Sequence, residues 1–270
     1  MSSNKKVILI TGGSSGIGKS IGEYLHHKGF VVYGTSRNPE RILNSVFPLV
    51  ALDVRDTISI EHAIAQVIAL SGRLDVVVNN AGVGITGPLE EIPTIEMKNH
   101  FDTNFFGPIG VMKAVLPQMR QQQEGLIINI TSIAGYMGLP YRSLYSASKG
   151  ALELITESLR MEVKSFGVQI TNIAPGDFAT NIASSRYHAP VIKDSPYEKT
   201  YGESLRTMDA HVDSGSNPND MAEAVYEIIN TKDPKIHYRV GAFMQKLSIV
   251  LKRILPDKVY EKILMKHYKL

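Results

Sequence analysis

Short, mostly apolar runs alternate with longer stretches in which apolar residues return every three or four positions. This alternation continues from residue 7 to residue 240. Residues 7–11, 30–35, 49–52, 74–78, 126–130, 168–173 and 236–240 are the short runs, rich in Val and Ile, and read as strands buried on both faces of a parallel sheet. The longer stretches read as helices. Ile21, Tyr24 and Leu25 mark the first, and Ile60, Ala63, Ile64 and Val67 fall on one side of a helix over 55–70. Residues 94–120 carry one long or two broken helical patterns, with Asn104 inside, where an amide either hydrogen-bonds solvent or distorts the helix locally. Ala151, Leu152, Ile155 and Leu159 stripe a helix over 150–166, and Asn217 caps a helix over 218–230. Strand–helix alternation of this kind predicts an α/β fold with a parallel sheet.

Two segments fall outside the alternation. Residues 177–217 show little periodicity and enough Gly, Pro and Ser to read as a mobile flap. Residues 242–270 read as two short amphipathic helices separated by Pro256, with Phe243, Leu247, Val250, Leu251 and Ile254 on the first and Val259, Ile263 and Leu264 on the second. This extension holds seven Lys and Arg against Asp257 and Glu261, a net +5, whereas the whole chain carries only +3. Three roles stay open for it: a lid over a substrate site, a peripheral membrane contact, or an arm that packs a dimer. The expected organisation is one domain over 1–241, its flap at 177–217, and the extension 242–270.

Composition narrows the function. The length of 270 residues suits one large domain. There is no cysteine, so neither a disulfide framework nor a thiolate site is expected, and the eight histidines form no ligand pair, so no metal site is expected. The low net charge argues against a nucleic-acid partner. No apolar run reaches the ~18 residues of a spanning helix, and residues 1–6 are short and polar, so a cytoplasmic protein is the expectation.

The chemistry gathers at strand ends. Tyr145 and Lys149 lie four residues apart, on one face if the segment is helical. A cation that close favours phenolate over phenol, which suits Tyr145 to general acid–base work. The first strand runs into Gly12-Gly-Ser-Ser-Gly-Ile-Gly18 and then a helix, the context in which backbone N–H groups meet a phosphate. Gly13 to Ser20 fits the nucleotide-triphosphatase pattern G-x-x-x-x-G-K-[ST], with Asp53 after an apolar strand as a magnesium ligand; Thr11, Gly12, Gly16 and Gly18 equally fit T-G-x-x-x-G-x-G. The loop alone leaves both readings open. At the end of the second strand stand Thr35 and then Arg37, where an acidic residue would accept from an adenosine 2′-hydroxyl. With Ser15 as a second donor, Arg37 favours a 2′-phosphate, and so NADP(H) over NAD(H).

Asn79-Asn80-Ala81-Gly82, Ser132 and Pro175-Gly176-x-x-x-Thr180 close three further strands. Together with the T-G-x-x-x-G-x-G loop and Tyr145-x-x-x-Lys149, they resemble the short-chain dehydrogenase/reductase family over about residues 6–240. The narrower resemblance is to its NADP-preferring hydroxysteroid and retinol dehydrogenases. The resemblance implies a Rossmann-type, doubly wound, three-layer α/β/α sheet of about seven strands. It implies an oxidoreductase that moves a hydride between NADP(H) and a carbonyl or secondary alcohol, in which Ser132 binds the substrate oxygen and Tyr145 exchanges its proton. Lys149 would tune Tyr145 and hold the nicotinamide ribose, and Asn104 would anchor a water leading to solvent. Gly12, Ser14, Ser15, Gly16, Ile17 and Gly18 would hold the pyrophosphate, Asp53 and Val54 the adenine, and Asn80, Ala81, Gly82, Pro175, Gly176 and Thr180 the remaining length. The family commonly pairs its two long helices, here about 95–118 and 145–166, into homodimers or homotetramers. At the substrate end stand Tyr136, Met137, Leu139 and Tyr141, with Phe178, Ile182, Tyr187, Tyr197, Tyr201 and Met208 from the flap. They either line a site for a lipophilic substrate or pack the flap onto the domain. The competing functions are a P-loop triphosphatase and a non-catalytic NADP sensor.

Overall fold

A computed structural model of the chain describes residues 5–178, 186–213 and 215–270, with 209–213 as backbone only. The strands are β1 (Val7–Ile10), β2 (Val31–Ser36), β3 (Leu49–Ala51), β4 (Val76–Asn79), β5 (Ile85–Thr86), β6 (Gly125–Ile130), β7 (Val168–Pro175), β8 (Tyr187–His188) and β9 (His237–Val240). The helices are α1 (Gly16–His27), α2 (Thr57–Ser71), α3 (Thr94–Phe101), α4 (Gly107–Gln122), α5 (Ser143–Glu162), α6 (Glu198–Asp213), α7 (Pro218–Asn230), α8 (Phe243–Ile254) and α9 (Asp257–Tyr268). Seven strands form one sheet in the order β3-β2-β1-β4-β6-β7-β9, every neighbouring pair parallel. The strand order reverses between β1 and β4, which opens a crevice at their carboxyl ends.

Strand side chains alternate between two cores. Val7 and Leu9 of β1, Val77 of β4 and Ile127 of β6 pack beneath α2, α4 and α5, against Ile64, Val111, Val115 and Leu152. Ile8, Ile10, Val78 and Ile128 pack on the other face against Ile21 and Leu25 of α1 and Val225 and Ile228 of α7. Coverage on both sides is why these strands read as unbroken apolar runs.

Three local features differ from, or refine, the periodicity. The broken pattern at 94–120 is α3, a π-helical turn at Asp102–Phe106, and α4, with Asn104 at the centre of the turn. Helix α5 starts at Ser143, so Tyr145 and Lys149 do share a face. The flap holds α6, where the sequence pattern predicts no helix: Tyr201, Leu205 and Met208 have helical spacing but stand among polar residues, and a fourth contact position is Ser204, fully buried. Strands β5 and β8 pair parallel and tie the flap to the chain just beyond Gly82.

Candidate active site

Strand β1 delivers Thr11 and the glycine loop to the crevice. Gly12 has φ of +66° and Gly16 of +53°, a region that favours glycine. Thr11 and Asn80 clamp the two strand ends together. Asn80 Nδ2 donates to the carbonyls of Thr11 (3.0 Å) and Gly12 (3.2 Å), while Thr11 Oγ1 accepts from the amides of Asn80 and Ala81, both at 3.0 Å. Gly12 N in turn donates to Thr35 Oγ1 at 3.2 Å, fastening the loop to β2. A Cβ on Gly18 would run into Asn80 Nδ2 and the Gly12 carbonyl, so only glycine lets α1 start this close to the clamp. Gly18→Ala is therefore expected to cost about 1–3 kcal/mol of stability by overpacking, read as a lower urea midpoint.

The cleft above this clamp has a volume of about 650 Å³. Its walls contain Gly12, Ser14, Ser15, Gly16 and Ile17 at one level, Arg37, Asp53 and Val54 towards one end, and Asn80, Ala81, Gly82, Tyr145, Lys149 and Pro175 towards the other. The first turn of α1 carries no acidic side chain, so its free N–H groups and positive dipole end suit a pyrophosphate. Asp53 is gripped by Arg55, with Nη2 at 2.9 Å and Nε at 3.2 Å, and that pairing holds its carboxyl below the usual carboxylate range.

The triphosphatase reading of Gly13 to Ser20 fails here. Lys19 turns away along α1 to Glu23, 3.7 Å distant, and Ser20 Oγ donates to Asn219 Oδ1 of α7 at 2.8 Å. Neither residue faces the cleft, and the carboxylate it would need, Asp53, is spent on Arg55.

At the other end, Tyr145 and Lys149 are both buried on α5. Lys149 Nζ donates to the Ile130 carbonyl at 2.9 Å. Burial pushes its ammonium below the ordinary lysine value, opposed by the nearby Tyr145 and Glu153. The Arg142 guanidinium lies over the Tyr145 ring, 5.0 Å from its centroid, as a second cation beside the phenol. Ser132 caps the turn at Ile133–Tyr136, its Oγ accepting from Ala134 N at 3.1 Å. That bond fixes the oxygen and leaves the hydroxyl proton to donate elsewhere. The turn lies directly on α5: a Cβ on Gly135 would come within 3.0 Å of the Lys149 backbone.

Asn104 is completely buried and spends its side chain on Val83, with Oδ1 accepting from Val83 N and Nδ2 donating to Val83 O, both at 2.8 Å.

Some expected site residues lie elsewhere or outside view, and Ser132 stands beside the cleft lining at Thr131 rather than in it. Tyr136 does not line the cleft. Its hydroxyl donates to Glu153 Oε2 at 2.9 Å, because the buried Glu153 carboxylate draws in donors, and burial with that carboxylate raises the phenol pKa. Phe178 is also not a substrate wall; it is buried in the core beneath α7 with Met221 and Val225. Thr180 and Ile182 fall outside the described residues. Gly176 abuts Gln245 of α8. Among the expected flap residues, Tyr187 lines the cleft, whereas Tyr201 is fully buried against Ile85 and Tyr145.

His100 joins the site without having been expected from the sequence. It lines the cleft, is buried, and lies 6.1 Å ring to ring from Tyr145. Its Nε2 is 3.0 Å from Ser148 Oγ and 3.4 Å from Asn104 Nδ2. Burial first, and then the Lys149 charge, push its pKa down to about 4. Its position four residues before Asn104, one helical turn away, was the available signal. Glu153, one turn after Lys149, lies behind the cleft, equally unexpected; it accepts from Thr131, Tyr136 and Asn172 and meets His237 Nδ1 at 2.7 Å.

Comparison with known proteins identifies the family. The sequence profile described as short chain dehydrogenase matches residues 6–190. The 3-ketodihydrosphingosine reductase of Bacteroides thetaiotaomicron is 40% identical over 257 residues, covering 95% of this chain and 95% of that protein. A short-chain dehydrogenase structure from Streptomyces avermitilis superposes with a TM-score of 0.82 at 31% identity, over 98% of this chain and 97% of that one. ElxO, solved with NADP bound, superposes with a TM-score of 0.72 at 28% identity, over 87% of this chain and 97% of that one.

Proposed function

Because the chain belongs to the short-chain dehydrogenase family and is an oxidoreductase of CH–OH and C=O groups, we propose that its cleft binds NADP(H) and that it interconverts a lipophilic ketone and the corresponding secondary alcohol. The carrying observation is that the Tyr145–Lys149 pair and the glycine-lined start of α1 share one cleft. A nicotinamide bound there supplies or takes up the hydride.

The residues divide the remaining work. The Ser132 hydroxyl, its oxygen fixed by Ala134, donates to the substrate oxygen. Tyr145 gives that oxygen a proton in reduction and takes one in oxidation. Lys149 and Arg142 stabilise the phenolate left behind, Lys149 from within the wall and Arg142 from over the ring. Asn104 would anchor a water through which a replacement proton reaches Lys149 from solvent. His100, held neutral, adds no charge beside Lys149. The alternative of a non-catalytic sensor would have no use for this complete set.

NADP(H) over NAD(H) rests on Arg37, exposed at the adenosine end of the cleft, with no acidic residue at the end of β2. Arg37→Ala should weaken NADPH binding roughly ten- to a hundredfold, the worth of one or two charge-assisted hydrogen bonds, and leave NADH binding within about twofold. Fluorescence titration with both nucleotides measures it; equal losses for the two would overturn the preference. For the substrate class, the support is Val83, Ile85 and Tyr187 in the cleft wall and the name carried by the Bacteroides relative. 3-Ketodihydrosphingosine beside a series of short 2-ketones is the direct assay; turnover confined to the short, water-soluble ketones would reject the lipophilic reading.

A further inference from the structure

The first of the two C-terminal helices docks with its sides reversed. Helix α8 faces the body with Ile249, which is buried, with Gln245, whose Nε2 donates to Asp177 Oδ2 at 2.7 Å, and with Ser248 beside Met137. On the opposite side Phe243, Leu247, Val250 and Ile254 recur at helical spacing and form one stripe. Phe243 is 72% exposed, Val250 42% and Ile254 68%. An amphipathic helix ordinarily turns such a stripe inward. Helix α9 packs through Tyr260, Leu264 and Tyr268. Its outer side carries Lys258, Lys262 and Lys266, flanked by the exposed Val259 and Ile263.

We propose that the outer faces of α8 and α9 are a docking surface for an anionic lipid bilayer. An apolar stripe on one helix followed in the chain by a lysine ridge on the next is the pairing that lies in a bilayer interface, the former among acyl chains and the latter at anionic headgroups. The charge is local: the extension carries +5 in a chain of net +3, so residues 1–241 carry −2. Of the two carboxylates in the extension, Asp257 is neutralised by Lys252 at 2.7 Å. A second copy of the chain is the poorer occupant, since a two-fold contact would set one lysine ridge against another. A nucleic acid would use the lysines but leave the apolar stripe in water. A lid role belongs to the inner faces, which already cover Ile133 and Met137, next to Ser132. If the proposed function holds, the bilayer thus lies alongside the substrate end of the cleft.

The test is co-sedimentation of the full chain with vesicles, without cofactor or substrate, so that its outcome is independent of the redox reading. Binding is expected to phosphatidylcholine vesicles containing about a third phosphatidylglycerol, not to phosphatidylcholine alone, and to weaken with salt. Phe243→Glu with Ile254→Glu should lower binding at least about tenfold, and Lys262→Glu with Lys266→Glu by a similar factor. Both pairs are at the surface, and circular dichroism checks that they fold. If the glutamate pair misfolds, Phe243→Ser with Ile254→Ser replaces it and should show the same loss. No binding by the intact chain, or equal binding by these variants, overturns the proposal. So does a fall from dimer to monomer in the Phe243/Ile254 variant with vesicle binding unchanged, which would assign the stripe to a second copy.

Discussion

Tyr145→Phe should leave NADPH bound and reduce turnover by roughly 10²–10⁴-fold, the range of a positioned acid–base group. The substitution removes one oxygen and keeps the ring. That ring packs with Ile85, Ala134 and Tyr201, under the Arg142 guanidinium and beside His100, and none of these contacts needs the hydroxyl. Lys149 keeps its bond to the Ile130 carbonyl, so the cofactor end of the cleft is unchanged. Turnover of a ketone and fluorescence titration with NADPH on one preparation separate the two quantities. Near-normal turnover would remove Tyr145 from the chemistry; a parallel loss of NADPH affinity would make it a binding residue instead.

The second large effect concerns acid. The folded protein holds His100 neutral down to about pH 4, against an ordinary value of 6.5. Between those two pH values the unfolded chain binds a proton that the folded chain refuses. Stability from this group is therefore complete above pH 6.5 and lost as the pH falls towards 4, in total about 3 kcal/mol. Urea unfolding at pH 7.5 and near pH 4.5 measures the loss. His100→Gln keeps a polar group beside Ser148 and Asn104 but has nothing to titrate, so its stability should fall less over the same interval. An identical fall in both proteins would show that other groups carry the acid sensitivity.

The parts of this molecule that were legible in the sequence are those where local pattern and tertiary environment agree. Strand β4 reads Val-Val-Val-Asn because helices cover both of its faces, and Asn80 is polar because it leaves the sheet at the crevice. Tyr145 and Lys149 were legible because a helix makes a four-residue spacing into a contact. Elsewhere, proximity in the sequence does not set the direction of a side chain. Tyr136 follows Ser132 by four residues yet turns to Glu153 behind the cleft, and Phe178 follows Gly176 by two yet enters the core under α7. His100 and Glu153 are not legible because isolated polar residues on helices usually face water. Helix α6 was hidden because Ser204, small and polar, occupies a fully buried contact position and donates to the Tyr268 carbonyl.

Gln245 has a consequence for any attempt to shorten the chain. Its amide oxygen accepts from Asp177 N at 3.2 Å and its amide nitrogen donates to Asp177 Oδ2 at 2.7 Å, so one side chain closes the loop that follows Gly176. Ile249 and Tyr260 fill the space over Ile133, Met137 and Ala174. The change in charge at residue 242 is thus a poor place to cut. A chain ending at 241 would lose a wall rather than a tail, and the bared patch would be sticky in its own right, so trimming there invites aggregation instead of yielding a smaller working enzyme.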